Sequence, residues 1–244
     1  VSVQEIHWRK AEQAAPSSPA GRLGEAASLR PVARADIVVL LPLPRSSSYL
    51  RIGKRFFDLA VALPLLLLVL PLLVVVAIAI RCDSKGPVFF RQHRLGYAGR
   101  TFAIWKFRTM RVLENGAHIE QARAGDPRIT RIGRFLRMSS IDELPQLLNV
   151  LQGDMSVVGP RPHALAHDRE YGARIAHYAA RRAVKPGITG WAQVHGLRGP
   201  TFELDTMRRR VDHDVWYAQN ASFALDIRIL LHTVREILYP RNAV

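Results

Sequence analysis

Two adjacent carboxylates, Asp142-Glu143, stand between a long basic stretch and an apolar helical segment, Leu144 to Leu151. Arginines bracket them. Arg137 lies just upstream, and Arg161 is fixed between two prolines in Gly159-Pro160-Arg161-Pro162. Such a set can hold a divalent cation and a phosphate together, with one carboxylate as a Mg²⁺ ligand and the other as nucleophile or base. The alternative is purely local. Ser140-Ile141-Asp142-Glu143 spells a capping box, and acidic side chains belong in the first turn of a helix. Pro145 bears on the register. With Ser140 as the cap, the proline falls where an N–H is already needed; a start at Asp142 puts it in the first turn, where it is tolerated. Either register leaves the carboxylates at a positive helix end, which also attracts phosphate. Arg161 is correspondingly either part of a stiff loop or a phosphate clamp.

Other candidate ligands lie on turns and strands. Val88-Phe89-Phe90 and Thr101 to Phe107 read as two strands joined by the turn Gly96-Tyr97-Ala98-Gly99. Arg91, Arg94, Lys106 and Arg108 on this hairpin form either a solvated face or a contact for phosphate or anionic lipid. Lys185-Pro186-Gly187-Ile188-Thr189-Gly190-Trp191 is a second punctuated loop. Its glycines permit close backbone approach to a ligand, or it is a plain turn with a packed tryptophan. Between these segments arginine recurs at Arg128, Arg131, Arg134 and Arg137, interleaved with Ile129, Ile132, Phe135 and Leu136. That spacing gives an amphipathic helix, at the protein surface or at a lipid interface. Two further helices are expected at Phe202 to Ala218 and Ser222 to Leu238, the second with Phe223, Ile227, Leu230, Leu231, Val234 and Leu238 on one face.

The element that places this chemistry is an apolar run, Phe56 to Ile80, with Lys54-Arg55 and Arg81 at its rims. Leu59 to Ala79 carries no charge and is about as long as the ~20 residues of a helical span. Pro64 and Pro71 lie inside it, and basic residues flank both ends alike (Arg45, Arg51, Lys54 and Arg55 before; Arg81, Lys85, Arg91 and Arg94 after). Spanning helices show a charge bias, so balanced flanks suit a bent helix returning to the same face; a buried soluble helix is the remaining reading. Residues 1–50 are rich in Ala, Pro, Ser and Gly and read as a flexible tail, with Val38 to Pro44 a possible local contact. Residues 1–35 lack the apolar stretch of a cleavable signal.

The chain has 244 residues and a formal charge of +15, which points to phosphate-rich partners. Beside an apolar run, these are lipid and phosphate and not nucleic acid, for which no recognition motif is visible. One cysteine, Cys82, excludes an internal disulfide. It is a plain thiol at the membrane rim or a palmitoylation site.

In chain order, Lys54-Arg55-Phe56-Phe57-Asp58, Pro71, Trp105-Lys106-Phe107-Arg108-Thr109-Met110, Asp126-Pro127-Arg128, Leu136-Arg137, Ile141-Asp142-Glu143-Leu144-Pro145-Gln146-Leu147, Gly153-Asp154-Met155-Ser156-Val157-Val158-Gly159-Pro160-Arg161-Pro162, Lys185-Pro186-Gly187-Ile188-Thr189-Gly190-Trp191-Ala192-Gln193 and Leu225-Asp226 resemble the bacterial sugar transferases, the monotopic polyprenyl-phosphate phosphoglycosyl transferases. The resemblance covers residues 51 to about 238. It implies transfer of a hexose 1-phosphate from a UDP-sugar to polyprenyl (undecaprenyl) phosphate, with release of UMP, as the first step of exopolysaccharide or other glycan assembly.

Carried over by matching position, Asp142 is the nucleophile and Glu143 the Mg²⁺ ligand. Arg137 and Arg161 handle phosphates, and Lys106, Arg108, Lys185, Gly187, Thr189 and Gln193 belong to the substrate region. The helix is re-entrant with its break at Pro71, Lys54 and Arg55 sit at the membrane rim, and Asp58 pairs with Arg55 or another basic group. The implied fold class is α/β, mostly α: a tail (1–50), a membrane-inserted re-entrant helix (51–82) and a cytoplasmic catalytic domain (83–240) with a short hairpin and interfacial helices. The expected location is the cytoplasmic face of the bacterial inner membrane, with anionic lipid, downstream glycosyltransferases and a second copy of the chain as possible partners. Pro64 and His195 depart from the family pattern. The segment around His195 resembles members that transfer glucose 1-phosphate, which favours UDP-glucose, while the histidine, where Asn is expected, leaves the sugar open. The chain resembles the minimal catalytic unit with a tail. A non-catalytic, membrane-anchored basic module explains the charge and the apolar run equally well, but not the carboxylate pair or the clamped Arg161.

Overall fold

The computed structural model describes residues 49–111, 125–197, 199 and 203–238. The tail expected over 1–50 falls outside them up to residue 48, as do Arg198 and Phe202. A π-turn, Tyr49–Gly53, leads into α1, Lys54–Asp83. The helix is continuous through Pro64 and Pro71, so the expected break at Pro71 is not a gap between two helices. It is long and apolar enough to cross a membrane, and only 11% of its most apolar window is buried. Leu63, Leu67, Leu68, Leu70, Leu72, Val74 and Val75 are exposed along its middle.

Each of its two ends packs along one side against the rest of the protein. Phe57 and Ala62 pack with Leu147, Val150 and Met155, while Val76 and Ile80 pack with Phe107 and Leu136. The rim residues serve this packing. Lys54 is buried against Asp226 at 2.6 Å and does not lie at a lipid surface. Tyr49 and Tyr217 hydroxyls donate to the same carboxylate, each at 2.6 Å. Asp58 accepts from the Ser156 hydroxyl at 2.7 Å and the Val157 N–H at 2.9 Å, not from Arg55. Arg55 instead donates to the Val150 and Leu151 carbonyls in the last turn of a helix. Each of these residues matches a basic or acidic rim pattern, yet its charge is spent inside the protein.

The hairpin forms as expected: β1, Phe89–Leu95, pairs antiparallel with β2, Thr101–Phe107, from Phe89 opposite Phe107 to Leu95 opposite Thr101. α2 is shorter than the arginine spacing predicts, Arg131–Ser139. Thr130 caps it by accepting from the Gly133 N–H at 2.9 Å, and Arg128 lies upstream, ion-paired with Asp126 at 2.8 Å. A Cβ on Gly133 would come within 2.1 Å of the Thr109 carbonyl oxygen, so glycine is what lets α2 lie against the backbone that follows β2.

Ser140, at φ 60°, then turns the chain into a 3₁₀ turn, Ile141–Glu143. Neither capping register holds. Ser140 makes no side-chain cap, and α3 begins only after Pro145, as Gln146–Gln152. The proline lacks the N–H that a continued helix would use, so the acidic pair sits in a tighter turn of its own.

The remainder is β3, Ser156–Val158; α4, Leu165–Arg174; a 3₁₀ segment, Tyr178–Ala183; β4, Gly187–Thr189; and α5, Trp191–Val194. It closes with α6, Leu204–Asn220, and α7, Phe223–Leu238. β3 and β4 pair in parallel, Ser156 with Gly187 and Val158 with Thr189. This corrects the reading of the second punctuated loop. A Cβ on Gly187 would meet the Gly159 nitrogen at 2.0 Å, so Gly187 allows two backbones to approach each other, not a ligand. α7 buries Asp226 and Ile229 but leaves Phe223, Ile227, Leu231 and Val234 exposed, so its apolar face only partly covers the core.

One side chain joins hairpin to helix. Asn149 on α3 accepts from the Trp105 N–H at 2.9 Å and donates to the Ala103 carbonyl at 2.8 Å. Replacing it by alanine strands two β2 backbone groups, each lost bond costing ~1–3 kcal/mol. Asn149→Ala is expected to lower the thermal midpoint by several degrees, measured by scanning calorimetry in detergent; an unchanged midpoint would contradict the role of this amide.

Candidate active site

The 3₁₀ turn presents Asp142 and Glu143 inward, each only 8% exposed. Two cations from separate elements converge on Glu143. Lys106, next to the Asn149-bound Trp105 on β2, reaches its Oε1 at 2.7 Å. Arg161, on the loop after β3, donates Nη1 to Oε2 at 2.9 Å and Nη2 to Oε1. This is a two-toothed guanidinium–carboxylate contact, the strong form of such pairs. Burial by itself would raise the Glu143 pKa, but Arg161 and Lys106 outweigh it and hold the carboxyl well below its usual range. Reciprocally, Glu143 raises the pKa of Arg161.

Asp142 is in the opposite state. Burial, aided by the neighbouring Glu143 charge, pushes its pKa up to about 6 against the pull of Lys106, Arg161 and Arg137. Adjacent residues thus split into one fixed anion and one carboxyl that titrates near neutrality. Environments that drive paired carboxyls apart in this way are a mark of reactive sites. Arg137 is exposed at the end of α2, with Nη1 3.8 Å from the Met110 sulfur, so its guanidinium is open to a ligand beside Asp142.

Of the other expected site residues, Lys106 joins the pair and the rest do not. Arg108 is buried and donates to the carbonyls of Ile80, Ser84 and Lys85, sealing the C-terminus of α1. A basic residue at a helix C-terminus and a phosphate ligand look alike in sequence. Lys185 lies beside Arg55 near Gly153, its pKa lowered by burial and then by Arg55. Thr189 is buried with its hydroxyl 2.6 Å from that of Thr233, and Gln193 donates to the Ile188 carbonyl at 3.1 Å. These last are fastenings of β4 and α5.

The sequence reading missed a polar cluster behind Arg161. Arg181 donates to Asp214 at 3.0 Å through Nε, to the Arg161 carbonyl at 2.6 Å and to His163 Nδ1 at 2.8 Å. Arg94 donates to the Pro162 carbonyl at 3.1 Å. The Pro-Arg-Pro loop is therefore held from both sides by guanidinium groups. The signal for this is three-dimensional: Arg94, Arg181 and Asp214 lie far apart in the chain.

Among the described residues, no group of three or more His, Cys, Asp or Glu is placed to hold a metal. Two carboxylates do suffice for Mg²⁺ when substrate phosphates and water complete the shell. Glu143 Oε2 accepts from Arg161 Nη1 and keeps lone-pair capacity for a cation, and a cation beside Asp142 would reverse the penalty of ionising it in the interior. The donor set fits a hard divalent ion carried in with a diphosphate.

Comparison with known proteins places the chain among its relatives. The chain is 53% identical over 202 residues to the UDP-glucose:undecaprenyl-phosphate glucose-1-phosphate transferase of Caulobacter vibrioides, covering 83% of this chain and 75% of that protein. It is 50% identical over 184 residues to the protein of the same name in Escherichia coli, covering 75% of this chain but only 40% of that one. It is 46% identical over 185 residues to the exopolysaccharide production protein PSS of Rhizobium leguminosarum bv. phaseoli, covering 74% and 92% respectively. The bacterial sugar transferase model matches residues 49–240, a span that holds α1, the acidic turn and the arginine loop alike, and the chain belongs to the bacterial sugar transferase family.

Proposed function

We propose that this protein transfers glucose 1-phosphate from UDP-glucose to undecaprenyl phosphate, releasing UMP, at the cytoplasmic face of the bacterial inner membrane. The observation that carries the reading is the divided pair. Glu143 is pinned as an anion by Arg161 and Lys106, while Asp142 is buried beside the same cations with a pKa near the working range. The relatives at 53% and 50% identity carry glucose and undecaprenyl phosphate in their names, which supports this choice of substrates.

The chemistry follows from where the charges sit. An ionised Asp142 oxygen attacks the β-phosphorus of the nucleotide sugar. A bond forms between that oxygen and phosphorus, the bridging P–O bond breaks, and UMP leaves with the bond's electron pair. The phosphate oxygen of undecaprenyl phosphate then attacks the same phosphorus, and Asp142 departs as carboxylate. Arg137, Arg161 and Lys106 oppose the charge that accumulates on the phosphoryl oxygens, the dominant device in phosphoryl transfer. A Mg²⁺ ion held by Glu143, and by Asp142 before attack, would supply further charge neutralisation for the diphosphate.

A lipid acceptor and a soluble donor must meet at one surface. Both ends of α1 pack on the same body while its middle exposes leucines and valines, which supports a re-entrant helix whose ends lie on one side of the bilayer. With the site on that side, the product would pass to glycosyltransferases that extend it. The non-catalytic anchored module lacks any use for a titratable Asp142 between three cations.

Three outcomes are expected. Asp142→Asn abolishes Mg²⁺-dependent UMP release from UDP-glucose, by ~10³-fold or more for a lost nucleophile, without loss of membrane association; retained activity would exclude the assignment, and a panel of UDP-sugars checks the sugar. The acid limb of kcat/KM for wild-type protein bends near pH 6, because protonated Asp142 is inactive and its raised pKa is fully ionised only above that value. It moves to lower pH as Mg²⁺ rises and to higher pH in Lys106→Met. Finally, Cys82, exposed at the end of α1, and a cysteine introduced at Ser47 in a Cys82→Ser background react with an impermeant maleimide in inverted vesicles and not in intact cells. Labelling from opposite sides would refute the re-entrant helix.

A further inference from the structure

Two side-chain amides are buried on α3, those of Gln146 and Asn149, and they are used differently. Asn149 bonds to β2 with both its atoms. Gln146 Nε2 is shielded from solvent and donates to no acceptor among the described residues. A buried donor left unpaired costs ~1–3 kcal/mol, and an apolar side chain of the same shape would fill the place without that cost. Packing alone gives no reason for an amide here. An idle donor beside a reactive turn calls for a partner that the resting arrangement does not supply.

The backbone sets where this donor stands. Right-handed helical dihedrals run on through Leu144 (φ −56°, ψ −35°) and Pro145 (φ −59°, ψ −16°). Gln146 therefore follows Glu143 by three residues and Asp142 by four, the spacings at which helical side chains lie side by side. The two carboxylates differ in what they lack. Glu143 has a donor on each oxygen, from Lys106 and Arg161. No hydrogen bond ends on the Asp142 carboxylate among the described residues; Lys106, Arg161 and Arg137 act on it by charge alone. Charge attracts an anion from many directions, whereas a hydrogen bond fixes the orientation of its oxygens. The entry to the turn is itself strained. Ser140 sits at φ 60°, which disfavours a residue with a Cβ, so the place of the acidic pair is kept against a backbone cost.

We infer that Gln146 is a positioning residue for Asp142. In the complex with the nucleotide sugar its Nε2 donates to one carboxylate oxygen and leaves the other aimed at the β-phosphorus. The role rests on Asp142 as the nucleophile and extends that reading. In the structure this bond is open, and rotation of the two side chains about their outer bonds closes it. Catalytic hydrogen bonds often tighten only once substrate is bound. A contact made on the way to the transition state, and not before, raises kcat and leaves KM unchanged. The three cations supply charge to the site; the amide supplies direction.

The test separates direction from packing. Gln146→Met keeps the volume and removes the donor. Wild type and variant, as the full chain in detergent, are mixed with UDP-glucose and Mg²⁺ without lipid acceptor, and UMP release in the first turnover is followed by rapid quench. Steady-state kcat and KM and the unliganded thermal midpoint are measured beside it. The first turnover is expected to slow roughly 10- to 100-fold, the worth of one hydrogen bond to a charged group. KM for UDP-glucose is expected to stay at the wild-type value, and the midpoint to stay at or above it, since an unpaired donor has gone. Gln146→Glu, of the same shape but with a further negative charge, is expected to be slower still. A lowered midpoint with a wild-type first turnover per folded molecule would show a purely structural amide and overturn the role. A raised KM with unchanged kcat would put the amide on the substrate and overturn it equally. If Gln146→Met fails to fold, Gln146→Glu decides: a slow first turnover supports the role and a wild-type one excludes it. Active wild type beside an equally fast Gln146→Met refutes the positioning and leaves the function standing; wild-type protein that releases no UMP from UDP-glucose refutes both.

Discussion

Glu143, shared between Arg161 and Lys106, is the contact on which the site depends. Three charges taken largely out of water hold one another only if all are present; removing one partner of a buried pair typically costs ~3–5 kcal/mol. The triad also ties three segments together: β2 through Lys106, the 3₁₀ turn through Glu143, and the loop after β3 through Arg161. Around it every other device works to keep the geometry. Asn149 fixes β2 to α3, Pro145 separates the acidic turn from the helix that follows, and Arg181 and Arg94 hold the loop that carries Arg161.

The same triad explains why two adjacent carboxyls behave differently. Glu143 takes the direct contacts and stays ionised. Asp142 shares the burial but only the longer-range attraction, so its ionisation remains near balance. In the proposed role of nucleophile, a carboxylate so placed would be available at neutral pH, and more so beside a cation or a diphosphate's counter-ion. Reactivity here is a property of the arrangement and not of aspartate as a residue type.

Much of the site was readable from residue types, and the reasons for the failures are physical. Asp142, Glu143 and Arg161 could be found because adjacent acids and a proline-flanked arginine are unusual in any setting, whereas Lys106 was one basic residue among four on the hairpin, set apart only by the family resemblance. Arg55, Arg108 and Lys54 were misplaced because a cation that closes a helix end or a buried pair has the same local signature as one at a lipid surface. Gly187 and Thr189 were taken for ligand contacts because a three-residue strand carries no periodicity; only its partner, Ser156 to Val158, reveals it. The continuous path of α1 through two prolines shows that their missing donors did not interrupt the helix. His163 and Arg181 left no signal, and Arg94 only that of one basic residue among four on the hairpin, since their meaning lies in how distant segments meet.

The most direct test of the central claim is a trapped intermediate. Purified protein is incubated with UDP-glucose and Mg²⁺ in the absence of any lipid acceptor, quenched in acid and examined by intact-protein and peptide mass spectrometry. The account predicts a gain of one hexose phosphate on the peptide that carries Asp142, lost on adding undecaprenyl phosphate and never formed by Asp142→Asn. Efficient transfer with no such adduct, or an adduct on another residue, would contradict it.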